Sequence, residues 1–195
     1  MNRKFLGLLV GVLIVAGIAA LSSLFIVTQT EQALLLQFGR PVRVISQPGL
    51  EFKLPFVQNV VYFDKRLIDV EPPPEEVIAA DQKRAIVDTY TRYRITNPLL
   101  FYQTVGTEEA VRARLAVMVS SSSRQVIGKE PLSALLSVQR AVIMRQIRDE
   151  VRMAAKPFGI EVVDTRIRRV DLPPQNSEAI YARMNSERQQ QAALY

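Results

Sequence analysis

Residues 85–128 read AIVDTYTRYRITNPLLFYQTVGTEEAVRARLAVMVSSSSRQVIG, and their apolar period changes halfway. From Ala85 to Thr96 the chain alternates. Val87, Thr89, Thr91, Tyr93 and Ile95 share one face, and Asp88, Tyr90, Arg92 and Arg94 share the other. Asn97-Pro98 ends this strand pattern. Thr107 followed by Glu108 and Glu109 then has the form of a helix start, with carboxylates at the positive end of the dipole. Val111, Leu115, Met118, Ser122 and Val126 form a helical stripe, and Gly128 closes it. A long strand followed by a long helix predicts a mixed α+β fold.

Upstream, residues 33–97 read as β-rich. Leu34 to Phe38 ends at Gly39, and Val42 to Ile45 ends in the turn signal Gln47-Pro48-Gly49. Leu50, Phe52 and Leu54 alternate with Glu51 and Lys53; Val60 to Phe63 follows. Pro72-Pro73-Pro74 interrupts pairing, since prolines bring no N–H donors. Downstream, Pro131 opens a second helical stretch. Ile143, Met144, Ile147, Val151, Ala154 and Ala155 lie on its inner face, with Arg140, Arg145, Arg148, Asp149 and Arg152 outside. Lys156-Pro157 and Gly159 close it, and a strand from Ile160 to Val170 runs to Pro173-Pro174. From residue 174 a last helix is expected, in which Ile180 and Met184 are the only strong i, i+4 apolar pair. So polar a helix needs partner helices or further sequence, and the chain reads as the N-terminal portion of a longer protein.

Phe5 to Val27 is 23 residues without a charge, and only Ser22 and Ser23 are polar. At about 1.5 Å per residue this makes roughly 35 Å of helix, enough for a ~30 Å hydrocarbon core. Phe5, Leu9, Leu13, Leu21, Phe25 and Val27 are the expected anchor residues. A cleaved signal peptide would have Arg3-Lys4 as its n-region, but the apolar run exceeds the usual ~7–15-residue core of such a signal. Arg3 and Lys4 precede the segment and the next basic residue is Arg40, which predicts a cytoplasmic N-terminus and a domain across the membrane.

Composition narrows the chemistry. The 195 residues include no His, Cys or Trp. That removes His- and thiolate-ligated metal sites, Ser-His and Cys-His nucleophile pairs, and disulfides. The net charge of +6 falls to +4 once Arg3 and Lys4 are set aside, too mild and too evenly spread to argue for nucleic acid. Ser120 to Ser123 and Lys129 supply the residue types of a Ser-Lys hydrolase, but such a dyad also needs a desolvated lysine and oxyanion donors, which no local pattern specifies. Asp64, Asp69, Glu71, Glu75, Glu76 and Asp81 lack calcium-loop spacing. No catalytic, metal or cofactor residues are expected.

Three motifs, taken in order, are familiar. Pro48-Gly49-Leu50-Glu51-Phe52-Lys53-Leu54-Pro55-Phe56 resembles the P-G-L-x-F-K-x-P-F signature of the SPFH (band 7) family, which holds the stomatins, prohibitins, flotillins and the bacterial HflK/HflC pair. Gly159 to Asp164, Arg166-Ile167 and Asp171-Leu172-Pro173 resemble that family's G-I-x-V strand ending in L-P. Ser177 to Met184 and Glu187-Arg188 resemble the opening of the long helix in the HflC branch. The resemblance implies a fixed order: residues 1–4 cytoplasmic, 5–27 a transmembrane anchor, 28–97 the β-rich first half of an SPFH domain, 98–173 its α/β second half, and 174–195 the start of a helical assembly arm. It further implies a single-pass protein of the bacterial inner membrane with a periplasmic domain. Its partners would be the lipid bilayer, an HflK-like SPFH subunit in a large oligomer, and an FtsH-type AAA protease. Ile180, Tyr181, Met184 and Arg188 would serve assembly. Leu50, Phe52, Leu54 and Phe56 have two readings: they face the domain's own sheet, as alternating apolar residues normally do, or they touch lipid, as the resemblance implies.

Overall fold

The computed structural model describes residues 13, 17 and 21–171. Two compact units divide them. The first holds the chain up to Leu67, Arg94–Gly106 and Phe158–Ile160; the second holds Ile68–Tyr93, Thr107–Pro157 and the chain from Glu161. The chain thus crosses between units five times.

In the first unit β1 (Leu24–Val27) pairs antiparallel with β4 (Gly49–Phe52). A three-stranded antiparallel sheet has β2 (Glu31–Gln37) between β3 (Arg40–Ile45) and β5 (Gln58–Asp64). The run Leu34-Leu35-Leu36 makes β2 apolar on both faces, and both are buried. Ala33 and Leu35 join Phe25, Val27 and Ile45 in one cluster, with Val60 packed against it. On the other face Gln32 lies opposite Phe63. Its Nε2 donates to the carbonyl of Ile95 at 2.8 Å, which satisfies a buried amide. Phe63 meets Phe101 edge-on, with ring centroids 5.3 Å apart. Phe101 belongs to α1 (Pro98–Thr104), which starts where Asn97 accepts the N–H of Leu100 and proline takes the first helical position.

The second unit is built on residues 84–93 of β8 (Arg84–Ile95), whose buried side is Ala85, Val87, Thr89, Thr91 and Tyr93, as its alternation predicts. β6 (Ile68–Val70) and β7 (Glu75–Ile78) pair antiparallel with different stretches of β8, and Pro72 to Pro74 lie between those two strands. β9 (Ile160–Asp171) also pairs with β8, and the buried Thr91 and Thr165 hydroxyls meet at 3.2 Å. α2 (Glu108–Ile127) is capped by Thr107, which accepts the N–H of Ala110. α3 (Leu132–Leu135) is a single turn, and the Asp81 carboxylate accepts the N–H of Leu132. α4 (Arg140–Ala155) packs on α2 through Ile143, Ile147, Val151 and Ala155. Ala154, expected inside, is exposed.

Two further readings are corrected. The buried stripe of α2 passes through Val119 and Ser123, not Met118 and Ser122. The four-residue steps 111, 115, 119, 123 turn Val111, Leu115, Val119 and Ser123 into the core, while Met118 is half-buried at its edge. The apolar run ending at Val27 is also not helical throughout. Residues 13, 17, 21 and 22 are helical, Ser23 is a turn, and Leu24–Val27 is strand. Phe25 and Val27 are core residues of the first unit, 8% and 1% exposed, because β4 offers Leu24–Val27 a pairing edge. Among the described residues no helix is long and apolar enough to cross a membrane.

Candidate functional site

The β1–β4 ribbon has two apolar faces, and only one is used by the core. Leu24 lies opposite Phe52 and Ile26 opposite Leu50, so these four share a face. That face is open: Leu50 is 65% and Phe52 57% exposed, with Leu24 and Ile26 exposed beside them. On the other face Phe25 and Val27 enter the core. The ribbon is also tied at Ser23, just before β1 and within the apolar N-terminal stretch, since the N–H of Lys53 donates to the carbonyl of Ser23 at 2.8 Å. Beyond β4, Leu54 and Phe56 are exposed as well. Gln58 holds that loop in shape: its side-chain oxygen accepts the Leu54 N–H at 2.8 Å, and its own N–H donates to the Leu54 carbonyl at 3.0 Å. Arg43 and Glu51 form an ion pair of 2.8 Å at the margin. Exposed apolar groups grouped in this way mark a contact surface.

The solvent side of the β8 sheet is polar and differently built. Tyr90 is flanked by the guanidinium groups of Arg92 and Arg168, 5.7 and 5.8 Å from its ring centroid. Arg92 pairs with Asp69, and Arg168 with Glu71 and Asp88. The hydrogen bond to the Glu71 carboxylate raises the pKa of Arg168 further. On α4, Arg140 donates to the carbonyl of Ile167 and Arg152 pairs with Glu161, so part of its outer arginine row braces the unit itself. Two carboxyl groups are held below their ordinary range: Asp64 chiefly by the side-chain hydrogen bond from Arg66, and Asp81 chiefly by that from Lys83. These groups order turns and strand edges; they do not converge on a cleft.

Of the residues singled out from sequence, Leu50, Phe52, Leu54 and Phe56 are all exposed, Leu50 and Phe52 on the open face of the ribbon. Leu13 and Leu21 are helical and exposed. Phe25 and Val27 leave the anchor set for the core. Phe5 and Leu9, and the assembly set Ile180, Tyr181, Met184 and Arg188, lie outside the described residues. Leu24 and Ile26 were missed as surface residues because the uniform hydropathy of residues 5–27 hides a change of period. The polar pair Ser22-Ser23 was the available signal for it.

The serine run and Lys129 do not assemble. Ser123 is buried, and its hydroxyl has no hydrogen-bond partner among the described residues. Lys129 lines a hollow of about 430 Å³ with Val126, Glu130, Gln146, Asp149, Glu150 and Met153, and no serine borders it. Among the described residues no cluster of His, Cys, Asp or Glu could hold a metal ion.

Comparison with known proteins gives a consistent picture. The family model described as "SPFH domain / Band 7 family" matches residues 25–195. A protein named Protein HflC from Buchnera aphidicola subsp. Schizaphis graminum is 30% identical over 190 residues, covering 86% of this chain and 62% of the relative. Protein HflC of Haemophilus influenzae is 27% identical over 197 residues, covering 95% and 66%. Modulator of FtsH protease HflC of Escherichia coli (strain K12) is 25% identical over 227 residues, covering 92% and 68%. The chain spans about three-fifths to two-thirds of the length of these relatives.

Proposed function

The chain belongs to the SPFH domain / Band 7 family, and on that premise we propose that it is a membrane-anchored, non-catalytic scaffold subunit that modulates a membrane-bound FtsH-type AAA protease. One observation carries the reading. An unspent apolar face of β1 and β4 stands directly after an uncharged apolar stretch, in a chain similar to a protein named as a modulator of FtsH protease. An enzyme would need groups of tuned pKa converging on a cleft, whereas a scaffold needs an anchor, a rigid domain and lateral contacts.

In this reading residues 5–22 and the face formed by Leu24, Ile26, Leu50, Phe52, Leu54 and Phe56 hold the protein at the bilayer. The N-terminus lies in the cytoplasm and the domain in the periplasm of a bacterial inner membrane. The subunit co-assembles with an HflK-like SPFH subunit into a large oligomer through the segment containing Ile180, Tyr181, Met184 and Arg188. The oligomer acts by confinement: a wall of subunits in one membrane patch limits which substrates reach the protease.

The test is purification of the full-length protein in mild detergent with identification of what accompanies it, together with the degradation profile of membrane proteins in a strain lacking it. Recovery of an SPFH subunit and an AAA protease, with altered turnover of some membrane proteins, is the expected result. A different membrane partner and unaltered turnover would point to a stomatin-like organiser instead.

A further inference from the structure

The arginine row on the outer side of α4 is only partly spent. At one end Arg140 donates to the carbonyl of Ile167 at 2.6 Å, and at the other Arg152 pairs with Glu161 at 2.7 Å, so the helix is clamped to β9 at both ends. Between the clamps β9 slips its phase. Val162 and Thr165 are both buried, and two residues stand between them where strict alternation allows one. Such a slip re-aims the side chains that follow it. Here α4 and β9 leave a hollow of about 280 Å³. Arg145 and Arg148 line it from the helix, Asp164 and Arg166 from the strand, and Ala141 and Met144 give it an apolar wall.

Three guanidinium groups thus share one hollow with one carboxylate, and their bonding leaves donors over. Arg166 gives its Nε to Asp164 at 2.7 Å. Arg148 gives its Nε and one terminal nitrogen to Asp149, which lies outside the lining. Arg145 makes no side-chain hydrogen bond or ion pair among the described residues. Arg145 and Arg148 are also i, i+3 neighbours of like charge, an arrangement that destabilises a helix unless an anion shares it. We propose that this hollow is a binding site for a dianionic phosphate group, free or as the monoester of a small molecule. Three arginines against Asp164 leave two positive charges to neutralise. A carboxylate is met by a single guanidinium fork, whereas a phosphate offers three terminal oxygens and takes donors from helix and strand at once. The apolar wall of Ala141 and Met144 leaves room for the group that carries the ester. Occupation would close the gap between the two clamps and stiffen the join of α4 to β9. The proposal goes beyond the scaffold reading and does not depend on it.

The test uses the full chain in detergent at fixed ionic strength, read by titration calorimetry and thermal unfolding. Glycerol 3-phosphate should bind saturably and raise the melting temperature as the site fills. Arg145→Gln, which breaks no contact among the described residues, should weaken that binding at least about tenfold. Arg84→Gln removes an equal charge from the pair with Glu76, outside the hollow, and should leave the affinity within about twofold. Inorganic phosphate should compete, and succinate, a dicarboxylate, should bind at least about tenfold more weakly. Equal binding of succinate would overturn the assignment to phosphate. Equal losses in the two variants would reduce the effect to bulk charge and reject the site, as would the lack of saturable binding. Dihexanoyl phosphatidic acid in the same titration separates the sources of the phosphate. Binding tighter than that of glycerol 3-phosphate would put the group on a lipid, and similar affinity would put it on a solute; either result, lost in Arg145→Gln, supports the site.

Discussion

Gly159 shows how much a single backbone position can hold. It sits at φ 71° between the 3-10 turn Lys156–Phe158 and β9. Its carbonyl accepts the N–H groups of Thr96 and Asn97 at 3.0 and 2.9 Å and the Thr96 hydroxyl at 3.2 Å. A Cβ there would stand 2.5 Å from the carbonyl oxygen of Asn97 and 2.8 Å from the backbone nitrogen of Phe101. Both neighbours are backbone, so neither can swing aside. Gly159→Ala should therefore cost about 2 kcal/mol or more in urea unfolding of the detergent-solubilised chain. Gly39→Ala, with nothing within 4 Å of the added carbon, should cost only the left-handed conformation, about 1 kcal/mol. The sequence announces Gly159 as the end of a helix. It does not announce the collision, because Asn97 and Phe101 come from a part of the chain far removed in numbering.

At the scale of elements, β1 was the hardest to read. Leu24 to Val27 extends an apolar run that already suits a spanning helix, and four apolar residues carry no period of their own. What makes them a strand is β4, whose edge is supplied from residue 49 onward. The alternation then has opposite consequences for adjacent residues. Phe25→Ala should destabilise the protein by about 3 kcal/mol, since it empties a filled site in the cluster with Val27, Leu35 and Ile45. Phe52→Ala should change stability by less than about 0.5 kcal/mol, since that ring is mostly in solvent. Urea titration of both variants decides the matter; similar losses would mean that the outer face is also packed. β8 was legible throughout, because twelve residues of strict alternation allow one phase only. α2 was legible in extent and not in phase, since Met118 and Val119 are both apolar and only the packed neighbours choose between them.

At the scale of the molecule, the α+β composition and the order of strands and helices follow from where the period changes. The five crossings between units do not, because they depend on contacts far apart in the chain. The proposed assembly likewise rests on a pattern: Ile180 and Met184 are the only strong i, i+4 apolar pair from residue 174 onward. Replacing both with Asp should shift the full-length protein to smaller species in size-exclusion chromatography in detergent. An unchanged elution volume would return the pair to the protein's own packing. The crossings also govern the protein's biogenesis. A chain made from its N-terminus delivers β1 to β5 first, yet the face of β2 carrying Gln32 waits for Ile95 to supply its carbonyl, and Phe63 waits for Phe101. Gly159, which ties down Thr96 and Asn97, arrives later still. A nascent chain cut short before Gly159 therefore carries finished strands without their final clasp, and quality-control proteases meet it as an unfinished substrate.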